Sequence, residues 1–549
     1  MKLLSLRIAD YHVLHNFELR FEHAAEDQTY TLDLIVGING TGKSTLLRAL
    51  AAIFRYLKRG EMPPFDFEVT YQLANGSEVT TLSNLKEKSS EKVEDGLLRV
   101  SYGKSQNQPS PDQPIAVERL ESSELPPLIV AFTTGGEREW ELEEAALPML
   151  NGEQQKPPDP DEAQFKEQLT EWYLRELPGE PVNETLEEGE VLATDVFMFI
   201  TADQMPLVTL CGMLNDMKNA FSDSREVKTF SWDRLQKAME EAHIKLLRGF
   251  SLRLRMNRDV LAPEDRRFTG ELLQRADHIV QTGSDYLLVF DLFKAQSKQA
   301  GEEAGTQAEQ ADEEVFDDRV IQLFGSMGII EFFKRLVRLA QPGGRQDPIL
   351  RDVDLFLEKE QQEENHSQEQ EDGKPPLHLL RWLSDGEQSF LGRLCLISLL
   401  GESEALILLD EPEVHFNDKW KRQLVFMLDQ ALDGQQSHVL MTTHSSITLT
   451  DVPSTSIRLL HRNNGYTSNA ISPPLRTLGA DPSDIMVSVF GAENATGEQG
   501  VQIITSKIKE YSKDRQAKEK LENLLSEVGP GYWRFLIRRE IHALEGEAR

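Results

Sequence analysis

The chain has 549 residues, 39% hydrophobic and 28% charged, which allows three or four structural units with buried cores and excludes global disorder. No run approaches the roughly 18 apolar residues that cross a bilayer, and the opening segment reads as too short and too charged for a signal-peptide core. The two cysteines, Cys211 and Cys395, lack the spacing of a disulfide framework or a C-x-x-C zinc site, so a soluble, cytoplasmic protein is expected.

Acids outnumber bases 92 to 59, a net charge of −33, so nucleic acid is not the default partner. The excess is concentrated. Residues 301–318 carry eight acids and no base, and residues 358–372 carry seven acids and one lysine. Both runs are too poor in apolar residues to form a core and read as solvated loops.

In chain order, the alternation of Leu4, Leu6 and Ile8, then Phe17, Leu19 and Phe21, predicts two short strands at an antiparallel edge. The apolar run Leu32–Val36 leads into the glycine-rich Gly37–Thr45 and then a helical pattern through Leu46, Leu50 and Phe54. Leu128–Phe132 reads as a buried strand. From 146 to 375, Pro/Glu-rich segments alternate with amphipathic stretches around Trp232–Ala242 and Ile329–Val337, which predicts a mostly helical insertion. Strands and helices alternate again from Leu377 to about Leu460. The tail, 466–549, reads as helical with a break at Gly529-Pro530-Gly531.

Four motifs carry chemistry. Gly37-Ile38-Asn39-Gly40-Thr41-Gly42-Lys43-Ser44 matches G-x-x-x-x-G-K-[ST], with Thr45 following. Glycines let backbone amides converge on an anion, Lys43 adds a mobile charge for β- and γ-phosphates, and Ser44 offers a hydroxyl to Mg²⁺. The apolar strand 405–409 ends in Asp410-Glu411, which places one acid to hold Mg²⁺ and the next to polarise water. Ser384-Asp385-Gly386-Glu387 opens an apolar helix and reads both as an anion nest and as an ordinary capping box. Val439–Thr443 is a strand ending in His444, a group suited to hydrogen-bonding a γ-phosphate.

The order GINGTGKST, LSDGEQ, LLDEPEVHF, TTHS resembles the phosphate loop, signature, Walker B and switch histidine of ABC-type ATPases. The opening LLSLRIADYHVLHNFELRF and the form Asp410-Glu411-Pro412-Glu413-Val414-His415 are similar to the RecF/SMC-like and OLD branch. The resemblance implies an α/β P-loop NTPase fold of ABC-ATPase type, a bipartite head whose mixed sheet is flanked by helices, with the helical insertion between the lobes. Its parts are an N-terminal lobe at 1–145, the insertion at 146–375, a C-terminal lobe at 376–465 and a helical tail at 466–549. It also implies ATP and Mg²⁺ as cofactors and a homodimer or assembly of dimers. Asn39 to Thr45 would bind nucleotide, Ser44 and Asp410 the metal, and Glu411 and His444 would act in catalysis. Ser384, Gly386 and Glu387 would close the nucleotide of a second copy. No glutamine stands in the expected coupling position after Phe132, where Thr133 and Thr134 occur instead.

Three uses of such a switch remain open. An OLD-like nuclease needs a strand-bound pair of carboxylates for two metals, and the acids after His444 show no such pattern. A RecF-like DNA-repair head needs a basic patch, best offered by Arg248–Arg258, where Arg253 and Arg255 share one face of a strand. The third is the ATPase of Septu and retron anti-phage modules, of the PtuA kind, which the motifs, the insertion and the closing Gly529–Arg539 segment resemble. That family pairs the ATPase with an HNH nuclease (PtuB). Its retron versions add a reverse transcriptase and a small DNA–RNA. In the tail, Trp533, Ile537 and Ile541 form a stripe among Arg534, Arg538 and Arg539, suited either to a partner or to the chain's own core.

Overall fold

Leu128–Thr133 and Ala405–Asp410 are buried at every position, as apolar runs must be when both faces of a parallel sheet are covered. They sit side by side in a six-stranded parallel array whose spatial order is Ile457–Asn463, Thr31–Val36, His438–Thr442, Ala405–Asp410, Leu128–Thr133, Phe197–Ile200. The computed structural model of the chain describes residues 1–22, 30–73, 79–85, 97–103, 113–134, 197–221, 230–255, 263–283, 285–296, 313–325, 327–341, 348–359, 377–400, 404–432, 434–463, 465–512 and 516–547. Strand Tyr466–Ile471 folds back antiparallel on Ile457–Asn463 and joins the array to a meander of Leu14–Arg20, Lys2–Tyr11, Phe67–Gln72, Val79–Ser83, Leu97–Gly103 and Gln113–Ala116. The result is one mixed sheet of thirteen strands flanked by helices, the α/β P-loop architecture that the motifs imply.

Helix Lys43–Lys58 lays Leu46, Leu47, Leu50, Ile53, Phe54 and Leu57 onto one face of that sheet, against Leu6, Ile8, Phe17, Ile129 and Leu408. Facing Phe132, helix Asp385–Leu399 brings Arg393 to 5.4 Å from the ring. Helix Met205–Ala220 crosses that helix closely: a Cβ on Gly212 would lie 2.5 Å from both the Cβ and the carbonyl of Cys395. Only hydrogen fits there. Both cysteines are free and buried at this crossing, where burial pushes the Cys211 thiol far above its ordinary value.

Several sequence expectations need correction. The N-terminal strands pair as an antiparallel hairpin, but each also pairs outward, Lys2–Tyr11 with Phe67–Gln72 and Leu14–Arg20 with Tyr466–Ile471, so neither is an edge. The described part of the insertion is not mostly helical. Beside helices Met205–Ala220, Gln236–Glu241, Pro263–Arg275, Arg319–Gly325 and Ile329–Ala340 it supplies four strands, His278–Thr282, Asp285–Asp291, Ile244–Arg255 and Leu350–Lys359 in that spatial order, to a five-stranded antiparallel sheet that Leu377–Leu379 completes. The period-2 signal is broken there because Gly249 sits at a register shift, where a Cβ would meet the Phe290 carbonyl at 2.4 Å. The Pro/Glu-rich segments and most of the acidic runs lie outside the described residues. The described remainder of those runs is not a solvated loop: Glu358 is buried and paired with Lys245 and Arg248, Glu314 also pairs with Arg248, and Asp317 pairs with Lys294 and Arg319.

The tail boundary also moves. Tyr466–Ile471 belongs to the large sheet, and the second unit begins at Gly479. In that unit, helices Glu498–Tyr511, Ala517–Glu527 and Tyr532–Glu547 enclose Leu521, Leu524, Ile537 and Ile541. The tail stripe is therefore largely core: Ile537 and Ile541 pack inward, and Trp533 Nε1 donates to Thr496 Oγ1 at 2.9 Å.

Substituting Gly212→Val should force the two helices apart and cost about 3 kcal/mol. A chemical-denaturation midpoint unchanged from the parent would show that the crossing is looser than described.

Candidate functional site

Parallel strands align their carboxyl ends, and the register here sets Asp410 opposite Thr133 on one neighbour and Thr442 on the other. Both hydroxyls donate to it: Thr442 Oγ1 to Oδ1 at 2.6 Å and Thr133 Oγ1 to Oδ2 at 3.2 Å. Ser44 Oγ, from the first turn of the phosphate-loop helix, donates to the same Oδ1 at 3.0 Å. Three hydroxyls from three elements thus converge on one largely buried carboxylate.

The loop preceding Ser44 depends on its glycines. Gly40 and Gly42 have φ of +79° and +93°, where side chains are strained, and a Cβ on Gly42 would stand 2.7 Å from Val13 Cγ2. Thr41 Oγ1 donates to the Ile38 carbonyl at 2.9 Å, while Ile38, Asn39 and Gly40 form the exposed crest. The hairpin at 457–471 braces the loop from outside: Arg462 Nη1 donates to the Gly40 carbonyl at 3.2 Å and Thr467 Oγ1 to the Thr41 carbonyl at 2.8 Å. Lys43 is buried and its Nζ reaches back to the Gly37 carbonyl at 3.1 Å. Burial holds its ammonium below the ordinary value, opposed by the carboxylates of Glu411, Asp410 and Glu413. Thr45 is buried on the same helix and its Oγ1 accepts from Arg48 at 3.3 Å.

Glu411 leaves the strand with φ +50°, and His415 ends the following turn with φ +73°. Two non-glycine residues in the left-handed region within five positions mark stored strain. The Glu411 amide donates to Thr442 Oγ1 at 3.0 Å, and its Oε1 lies 3.0 Å from His444 Nε2. The hydrogen bond with His444 holds the Glu411 carboxyl below its usual value despite partial burial. Behind the pair, buried Glu413 accepts from Thr443 Oγ1 and from the His444 amide at 3.1 Å. Burial pushes the Glu413 carboxyl upward.

Ser384 caps helix Asp385–Leu399 in a reciprocal box with Glu387: the Glu387 amide donates to Ser384 Oγ at 3.3 Å and the Ser384 amide to Glu387 Oε2 at 2.9 Å. Lys359 lies 3.6 Å from the same carboxylate. Burial works against the charge of Glu387, yet these partners hold its carboxyl below the ordinary value. Gly386 lies under the His415 carbonyl, 3.2 Å from where its Cβ would be.

The expected residues therefore fall into two groups. Lys43, Ser44, Asp410, Glu411 and His444 form one cluster at the strand ends, below the crest that carries Asn39 and Gly40. Ser384, exposed, and Gly386 and Glu387, half-buried, form the head of a helix that packs against the back of the acidic turn. Thr442, Glu413 and Arg393 were not expected. Thr133 and Thr442 could have been suspected from a hydroxyl at the end of each strand beside Asp410. The cluster suits Mg²⁺: the donors on Asp410 and Ser44 are all hard oxygens, and an ion that keeps waters and phosphate oxygens needs no more from protein. Among the described residues no group of three or more His, Cys, Asp or Glu could hold a metal by itself.

Residues 251–451 match the family model described as "AAA domain, putative AbiEii toxin, Type IV TA system". The match takes in Ser384, Asp410-Glu411 and His444. Among solved structures the chain is similar to the SMC head domain from Thermotoga maritima, at 10% identity over 86% of this chain and 100% of that one, with a TM-score of 0.31. It is also similar to the Smc head domain with an extended coiled coil bound to the C-terminal domain of ScpA derived from Pyrococcus furiosus, at 10% identity, 86% and 96% coverage and a TM-score of 0.29. Scores at this level leave the assignment to the geometry of the site itself.

Proposed function

We propose that the chain binds ATP with Mg²⁺, hydrolyses it to ADP and phosphate, and does so between two copies that close head to head. One observation carries the reading. Ser44 and Asp410, 366 residues apart in sequence, share a 3.0 Å hydrogen bond at the strand ends, with Lys43 and the Glu411–His444 pair around them.

The amides of Asn39 to Ser44, with Lys43 and Thr45, would cradle the phosphates. Ser44 and Asp410 would hold Mg²⁺, which when bound neutralises charge on the β- and γ-oxygens. Glu411, kept ionised by its bond to His444, orients the attacking water and accepts its proton. His444, now bonded to Glu411, would turn its imidazole to the γ-phosphate and so report its presence. Ser384, exposed at a helix N-terminus, and Gly386, half-buried beside it, would close on the nucleotide of the other copy. ATP then acts as a bond between subunits, and hydrolysis removes it.

The use we propose for this switch is to gate a separate HNH nuclease in prokaryotic anti-phage defence, in the manner of the PtuA-type ATPases. A reverse transcriptase and small DNA–RNA would join in a retron setting. A RecF-like head binding DNA directly is less favoured because two arginines of the best basic run already pair with acids of the same chain. Arg248 pairs with Glu358 and Glu314, and Arg253 with Asp285 at 3.8 Å.

Lys43→Ala should weaken ATP binding by on the order of 10²-fold or more, read by equilibrium binding of a fluorescent ATP analogue; retained affinity removes the phosphate-loop assignment. Glu411→Gln should cut turnover by about 10²–10⁴-fold and trap an ATP-dependent dimer in sedimentation experiments. Adding Ser384→Arg should abolish that dimer while leaving nucleotide affinity intact. The purified chain incubated with DNA and Mg²⁺ or Mn²⁺ should leave it uncut; cleavage would overturn the separate-nuclease reading.

A further inference from the structure

Helix Asp385–Leu399 carries a buried ionic side chain whose position the nucleotide chemistry above does not use. Arg393 lies two and a half turns past Ser384 and is only 5% exposed. Its Nη1 donates to two backbone carbonyls of the acidic turn, that of Pro412 and that of Val414, the latter at 2.7 Å. Its guanidinium sits over two rings, 4.9 Å from Phe416 and 5.4 Å from Phe132. Phe132 immediately precedes Thr133, one of the Asp410 donors. Arg393 Nε and Glu413 Oε2 are buried without hydrogen-bond partners.

A buried guanidinium that bonds carbonyls and leaves one nitrogen unpaired is a poor stabiliser. An apolar side chain of similar size would avoid the desolvation. What the guanidinium does supply is a fixed distance between the helix and two carbonyls, those of Pro412 and Val414, of a strained turn. The turn needs such a hold, because its ends, Glu411 and His415, both have positive φ. A second fixed point lies nearer the helix head: Gly386 is under the His415 carbonyl, and Phe390 is stacked on Trp420 at 4.6 Å with an interplanar angle of 14°.

We propose that Arg393 is a positioning residue for Glu411, clamping the 410–415 turn to the helix headed by Ser384 so that the turn and that helix move as one body. On the side facing His444 the turn is held by Glu413, which binds the His444 amide. Arg393 is the counterpart that holds it to the helix headed by Ser384. Resting on the dimeric ATPase reading, the clamp makes a protomer's own Glu411 respond to whether its Ser384 has engaged the nucleotide of the second copy.

The test uses the full chain with Arg393→Met and Arg393→Lys, reading ATP affinity, ATP-dependent association, KM and kcat. Arg393→Met should lower kcat by about 10²-fold, the scale of a 1 Å misplacement of a reacting group, while affinity, KM and association stay within about twofold of the parent. Arg393→Lys keeps the charge and one donor and should recover part of the loss. An unchanged kcat in Arg393→Met overturns the proposal. So does a parallel loss of affinity and kcat in a folded variant, which would mean a structural role only. Should Arg393→Met fail to fold, Arg393→Lys decides: reduced kcat at parental affinity supports the clamp, and parental kcat overturns it. If the parent itself neither binds nor hydrolyses ATP, it is the ATPase reading that fails, and Lys43→Ala will then match the parent.

Discussion

The register of three parallel strands is the constraint on which the site depends. Asp410 is opposite Thr133 and Thr442 only because Leu128–Thr133, Ala405–Asp410 and His438–Thr442 end level with one another. A slip of one residue would point the carboxylate to the other side of the sheet and take it away from Ser44. The fully buried apolar runs below it therefore do more than fill a core. They index an acid against a hydroxyl of the phosphate-loop helix, and every other polar group of the site is placed relative to that pair.

The local parts of this arrangement were legible in the sequence. Glycine-rich 37–44 signals itself because positive φ and close approach admit little else, and an apolar run ending in two acids is a short, self-contained pattern. The convergent hydroxyls were not legible, since their meaning comes from pairing between segments that are far apart in sequence. Arg393 reads as one more helical residue until the turn it clamps is in place. Of the five-stranded sheet, only the end of its longest strand, at Arg253 and Arg255, was legible, because a glycine bulge interrupts that strand and because Asp285–Asp291 is an apolar run that suits helix and strand equally. In the tail, the amphipathic helix was visible, but sequence cannot say whether its apolar face meets a partner or, as here, two neighbouring helices of the same unit.

Buried charge lies behind the site as well as in it. Arg393, pushed down to about 10 by burial, and Glu413, pushed up by the same cause, both serve backbone groups of the elements that carry Glu411 and His444. Strained φ and ionic side chains in a dry interior, brought together at this turn, give up stability for a fixed geometry there.

The brace on the phosphate loop has a consequence for how the molecule comes into being. Its two grips, from Arg462 and Thr467, arrive more than 400 residues after the loop they hold, on the hairpin that joins the parallel array to the N-terminal meander. During synthesis the first lobe must wait, with its sheet divided, until that hairpin leaves the ribosome and slots between strands made at the very start. Such late, long-range closure makes folding slow and leaves open strand edges exposed in the interim.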